Sequence, residues 1–120
     1  MIKWNDPKDC LPELEDGKNR YYLVQLEDDS FDKALYIDND WYINHGAKLI
    51  LKVIKWVSSS YKNVDYIKTT DSLPEENSNK KYLISRERYG QVIVDYINGK
   101  WIEEGKAEVI GEVFQWVVLE

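Results

Sequence analysis

His45 is the only histidine of the chain and Cys10 the only cysteine, so proton transfer and nucleophilic attack have little to draw on. A cysteine nucleophile needs a base beside it. His45 falls in an Asn44-His45-Gly46 turn, and the reading that fits is a surface-loop histidine. Cys10 reads as a plain thiol, and a single cysteine forms no internal disulfide. No Gly-x-Ser-x-Gly elbow, phosphate-cradling glycine loop or His-x-x-x-His pair is present. Asp28-Asp29 with Asp32, and Asp38 with Asp40, superficially resemble calcium loops. Taking Asp28 as the first ligand puts Lys33 where the loop needs glycine and Asn39 where it needs glutamate, so these are solvated turns. No catalytic, metal-binding or cofactor-binding residue is assigned, no cofactor is expected, and the chain reads as a non-enzyme. An enzyme working through carboxylates alone is the minor alternative.

Aromatic side chains are what the chain has in quantity, with nine Tyr and five Trp. Such residues build cores, hot spots for protein partners, or stacking platforms for bases. Trp41, Trp56, Trp101 and Trp116 recur at fixed places and read first as core. Trp4, Tyr21, Tyr42, Tyr61 and Tyr89 lack strict counterparts and are the candidates for exposed recognition. Charged candidates beside them are Asp28, Asp29, Asp38, Asp40, Arg86 and Arg88.

These residues are positioned by a duplication. Leu11-Pro12-Glu13 returns as Leu73-Pro74-Glu75, and Tyr22-Leu23-Val24 as Tyr82-Leu83-Ile84. Tyr36-Ile37 with Trp41 returns as Tyr96-Ile97 with Trp101, and Val53 with Trp56-Val57 as Val113 with Trp116-Val117. The offset is 62 residues through the Leu-Pro and 60 from Tyr22 on, so two residues are lost in a polar loop. Self-similarity at this period defines the architecture. It predicts repeat 1 over residues 1–58 and repeat 2 over residues 59–120, with Ser58-Ser59-Ser60 between them. Half of a 120-residue chain is marginal alone, so the repeats are expected to form one compact body about a pseudo-twofold axis.

Each repeat reads as a small antiparallel meander. Residues 21–27 and 81–87 alternate with period two, and residues 33–37 and 91–97 return. Asn98-Gly99 is a hairpin turn that tolerates positive φ at both positions, and Asp38-Asn39-Asp40 is its weaker form. Residues 49–57 and 109–118 form the last strand. Strict alternation there puts Ile54 with Trp56 on one face and Val53 with Val57 on the other; Phe114 with Trp116 opposes Val113 with Val117. The fold class is mostly β, with an α+β variant in which residues 47–51 and 107–111 each make a short helix.

Net charge is −6, and eight basic and eleven acidic residues fall in each half. Direct binding of duplex nucleic acid, which needs a basic face, is not expected. Surface charges invert between the repeats: Asp28 aligns with Arg88, Asp40 with Lys100, and Lys48 with Glu108. The start of the chain has no apolar signal region, and Lys48, Lys52 and Lys55 interrupt its most apolar stretch, so a membrane span is not expected.

The order Trp, Leu-Pro, Leu-Val strand, Trp, then a valine strand ending in Trp resembles a small family of unknown function common in phages and prophages. That family typically reads Trp…Leu-Pro…Val-Leu-Val…Trp…His-Trp. The matching residues are Trp4, Leu11-Pro12, Leu23-Val24, Trp41 and Lys55-Trp56, then Tyr66, Leu73-Pro74, Leu83-Ile84, Trp101 and Gln115-Trp116. Lys55 and Gln115 replace the family's histidine, and its Pro-rich tail is missing. The resemblance implies a mobile-element origin and no assigned reaction.

The expected function is a phage-type accessory protein that binds a host protein, acting as a counter-defence inhibitor in the cytoplasm of an infected or lysogenic bacterium, as monomer or homodimer. One alternative is a sponge for a signalling nucleotide, bound between the repeats with Arg86, Arg88, Lys80 and Lys81 near its phosphates. Another is a structural or assembly protein of the virion.

Overall fold

The computed structural model describes residues 2–12, 21–43, 46–58, 64–76, 78–86, 88, 90–103 and 107–120, which contain nine strands and no helix. The chain divides into two compact units, Ile2–Asn63 and Val64–Glu120. In the N-terminal unit β1 (Tyr21–Leu26), β2 (Phe31–Ile37), β3 (Asp40–Ile43) and β4 (Val53–Val57) form an antiparallel sheet in the order β3-β2-β1-β4. In the C-terminal unit β5 (Ile67–Lys68), β6 (Lys81–Arg86), β7 (Gly90–Ile97), β8 (Lys100–Glu103) and β9 (Val113–Leu119) are ordered β5-β9-β6-β7-β8. The duplicated meander is therefore present strand for strand, β1 to β4 corresponding to β6 to β9.

Turn chemistry explains the second hairpin of each unit. Asp38 and Asn39 have φ of 49° and 68°, and Asn98 and Gly99 have 52° and 76°. Both central residues are left-handed in both turns, the hand that matches the twist of the flanking strands. Asp and Asn tolerate that region better than other side-chain-bearing residues. The Asp-Asn turn thus builds the same backbone as Asn-Gly.

The last strands depart from simple alternation. Gln25 pairs with Lys55 and Leu26 with Val53, leaving Ile54 unmatched. Ser85 pairs with Gln115 and Arg86 with Val113, leaving Phe114 unmatched. One extra residue makes a β-bulge, which resets which side chains point inward. Val53 and Trp56 consequently join a single core cluster with Val24, Leu26 and Ala34. Val113 likewise packs against the cluster of Tyr82, Ile84, Val94, Tyr96 and Trp116. Ile54 and Phe114 are turned out to solvent. The expected pairing of Ile54 with Trp56, and of Phe114 with Trp116, is corrected by the bulge.

The segments considered for short helices are straps instead. Lys48 bridges Tyr42 and Glu108 bridges Ile102, and the amides of Leu49 and Val109 donate to the carbonyls of Trp41 and Trp101, each at 2.9 Å. These contacts protect the outer edges of β3 and β8, and edges left bare invite aggregation. Leu49 and Val109 then pack onto the two core clusters. Regular β4 and β9 begin after the straps, later than the sequence pattern suggested.

The opposite sheet edges are closed by the segment that opens each unit. Asn5 pairs with Trp56, and Ile67 with Trp116. Thr69 extends the second contact, its amide donating to the Phe114 carbonyl at 3.1 Å. Pro7 stands at the matching position and has no amide hydrogen. That difference is why the C-terminal unit forms the two-residue strand β5 while the N-terminal unit has a single bridge.

Candidate functional site

Each unit builds an aromatic face from four equivalent residues. Tyr22, Tyr36, Trp41 and Trp56 come from β1, β2, β3 and β4; Tyr82, Tyr96, Trp101 and Trp116 come from β6, β7, β8 and β9. Tyr22 lies 5.4 Å from Trp56 at 88°, and Tyr82 lies 5.7 Å from Trp116 at 77°. Tyr36 and Trp41 are 4.8 Å apart at 56°, and Tyr96 and Trp101 are 4.5 Å apart at 50°. Edge-on and tilted contacts of this kind set the positive rim of one ring against the negative face of the next.

The Leu-Pro corner is fastened to that face. The indole N–H of Trp56 donates to the Cys10 carbonyl at 3.0 Å, and that of Trp116 donates to the Ser72 carbonyl at 2.9 Å. The accepting residue is in each case the one before Leu-Pro. Pro12 and Pro74 are buried, while Leu11 and Leu73 are exposed. Matching turns lead into both corners, with Asp9 and Cys10 donating to the Asp6 carbonyl and Asp71 and Ser72 donating to the Lys68 carbonyl. The four indoles are accounted for as two buried anchors (Trp56, Trp116) and two half-buried packing residues (Trp41, Trp101).

A recess of about 170 Å3 lies beside the second corner, lined by Pro74, Glu75, Ser78, Lys80, Tyr82, Trp116 and Val118. Ser78, Lys80 and Tyr82 already have polar partners. The Tyr82 hydroxyl is 2.8 Å from the Ser78 hydroxyl, and Lys80 is 3.7 Å from Glu120. Tyr82 and Trp116, which line the recess, also meet each other edge-on.

The predicted recognition residues are scattered across the sheet. Trp4 is half-buried, 5.9 Å from Phe31, with the Lys55 ammonium 4.5 Å from its ring centre. Burial lowers the pKa of Lys55. Tyr21 is exposed, with Lys33 5.8 Å from its ring. Tyr42 is half-buried opposite Leu35. Arg86 is half-buried and donates to the Ile110 carbonyl at 3.0 Å, while Arg88 is exposed. Tyr61, Tyr89 and His45 lie outside the described residues. Lys81 pairs with Asp95 at 2.9 Å.

Asp28, Asp29 and Asp38 are exposed turn residues. The Ser30 hydroxyl and amide both donate to Asp28, and these bonds hold its carboxyl below the ordinary aspartate range. Asp40 pairs with Lys48 at 3.3 Å. The aligned positions hold Lys100 and Glu108, residue types of exchanged sign. Two of the three charge inversions seen in the sequence therefore cancel in net charge, and Asp28 against Arg88 remains as the uncompensated one.

What sequence reasoning missed is a matched set of exposed apolar side chains. Ile50 is 99% exposed and Ile110 70%, at the same point of the two straps. Ile54 is 39% exposed and Phe114 42%, at the two bulges. Leu11 and Leu73 are exposed at the two corners. The signal was present as apolar residues shared by both repeats, but strict alternation filed Ile54 and Phe114 with the core tryptophans. Among the described residues, no three His, Cys, Asp or Glu side chains are grouped to hold a metal ion, and no helix is long and apolar enough to cross a membrane. Comparison with protein-family models, with curated proteins and with solved structures finds no match for this chain.

Proposed function

We propose that this is a non-enzymatic accessory protein of phage type that occupies a host protein, in the manner of a counter-defence inhibitor. The observation that carries the binding reading is the exposed apolar set at equivalent positions of both units: Ile50 and Ile110, Ile54 and Phe114, Leu11 and Leu73. Single apolar residues on a surface need no explanation, but here the same three positions are apolar and exposed in both units. Folding gains little from an isoleucine left in water, so association with another protein is the use that these positions suit. The phage assignment rests on the family resemblance of the Leu-Pro and tryptophan pattern, and the inhibitor role on the small accessory character of such proteins.

The test is affinity capture from bacterial lysate with the full chain, run with and without added nucleotide. A host protein retained by the wild type and released by Ile54→Ser/Phe114→Ser supports the proposal. Retention of a nucleotide in place of a protein contradicts it and favours a small-ligand sponge.

A further inference from the structure

We infer that the partner docks on one end of the N-terminal unit, and that it offers apolar side chains flanked by lysine or arginine. This rests on the binding reading above and adds which surface is used and what chemistry meets it. The end in question is assembled by three segments. The β1–β2 hairpin tip brings Glu27, Asp28 and Asp29, all exposed. The strap brings Ile50, 99% exposed, and Leu51. The bulge brings Ile54, set against Gln25 and Leu26 just below the tip.

Hydrogen bonds tie these segments together. The Glu27 amide donates to the Lys52 carbonyl at 2.9 Å, and the Lys52 amide donates to the Glu27 carboxylate at 3.1 Å. The Asp29 amide donates to the Leu26 carbonyl at 2.9 Å, and Ser30 donates to Asp28. The tip is thus tied to Lys52, between the strap and the bulge, so one end carries Glu27, Asp28 and Asp29 against a single exposed lysine, together with exposed Ile50, Leu51 and Ile54. An apolar centre with an acidic rim is complementary to a basic protein surface: apolar burial holds the contact, and charge selects the partner and speeds encounter.

The C-terminal unit supplies an internal comparison. Its matching end keeps the apolar residues, Ile110 and Phe114, but Arg88 stands where Asp28 stands, and Arg86 bonds to the strap carbonyl of Ile110 at 3.0 Å. Ile110 and Phe114 are shared, Gly111 replaces Leu51, and the three acidic residues at 27–29 give way to Glu87, Arg88 and Tyr89, which carry no net charge. A partner with basic flanks is attracted at the first end and not at the second, where Arg86 and Arg88 offset Glu87 and Glu112.

The probe is a synthetic peptide of alternating lysine and leucine, with a glutamate–leucine peptide as counterpart, titrated into the full-length protein and followed by backbone amide NMR. The expected result is that the lysine peptide shifts amides at residues 27–29 and 50–54. Its affinity falls about tenfold in Asp28→Arg and again in Ile54→Ser, while Arg88→Asp does not weaken it. Melting curves confirm that each variant is folded, and Asp29→Asn repeats the charge test if Asp28→Arg is not. Shifts spread evenly over both units, an equal response to the glutamate peptide, or self-association of the wild type that Asp28→Arg abolishes would each overturn the inference. The broader reading fails separately, on a lysate that yields no protein sensitive to the Ile54/Phe114 double variant.

Discussion

Trp116 combines burial, an edge-on contact with Tyr82 and one hydrogen bond that closes the Leu-Pro corner. Trp116→Ala should cost about 3–5 kcal/mol in urea unfolding. Trp116→Phe keeps much of the ring but leaves the Ser72 carbonyl without its donor, at a cost of about 1–3 kcal/mol. Tyr96 makes a pH prediction. Burial, and then the nearby Glu76 charge, raise its pKa above the usual 10.0. A raised value means that the folded state keeps a proton the unfolded chain releases. Stability from this group is therefore complete below pH 10.0 and is lost as pH climbs through the raised value. Ultraviolet titration should show one tyrosinate forming late, and Tyr96→Phe should flatten the alkaline loss of stability. These core roles were legible from the sequence, since Tyr22, Tyr36, Trp41 and Trp56 all return at one offset. Trp4 was harder to place. Its packing on Phe31 and Lys55 comes from cross-strand neighbours that the sequence does not align.

At the scale of elements, turn and bulge chemistry decides the outcome. Gly99 has φ of 76°, and a β-carbon there would meet the Glu76 carboxylate at 3.4 Å. Gly99→Ala should cost about 1–2 kcal/mol by forcing a side-chain-bearing residue into the left-handed region. Deleting Ile54 tests the bulge. It removes the extra residue and leaves Val53 two positions from Trp56, on the same core face and still opposite Leu26, so β4 pairs regularly with β1 and the cost should be under about 1 kcal/mol. Had β4 been regular, the same deletion would swing Val53 to the opposite face and cost about 1.5–3 kcal/mol. The strands and both hairpins could be read from period-two alternation and Asn-Gly. The bulges and straps could not. An extra residue in a ladder leaves no mark on a short apolar run, and the straps owe their path to bonds with Trp41 and Trp101 contributed from elsewhere in the chain.

For the molecule as a whole, duplication divides the work. The aromatic faces, Leu-Pro corners, bulges and straps are common to both units, whereas the hairpin tips differ in charge, acidic at Glu27-Asp28-Asp29 and without net charge at Glu87-Arg88-Tyr89. The inversions at Asp40 and Lys48 cancel in net charge, which leaves the tip as the informative difference. A chain of net charge −6 that meets a basic partner should show an association rate falling about tenfold or more as salt is raised, with a much smaller change in dissociation. Stopped-flow measurement against the captured partner checks this, and a rate indifferent to salt removes the electrostatic part of the account. The most direct test is to compare Tm and partner retention for Ile54→Ser/Phe114→Ser. The account predicts a Tm close to that of the wild type with retention largely lost; a collapsed Tm, or undiminished retention in a folded variant, would contradict it.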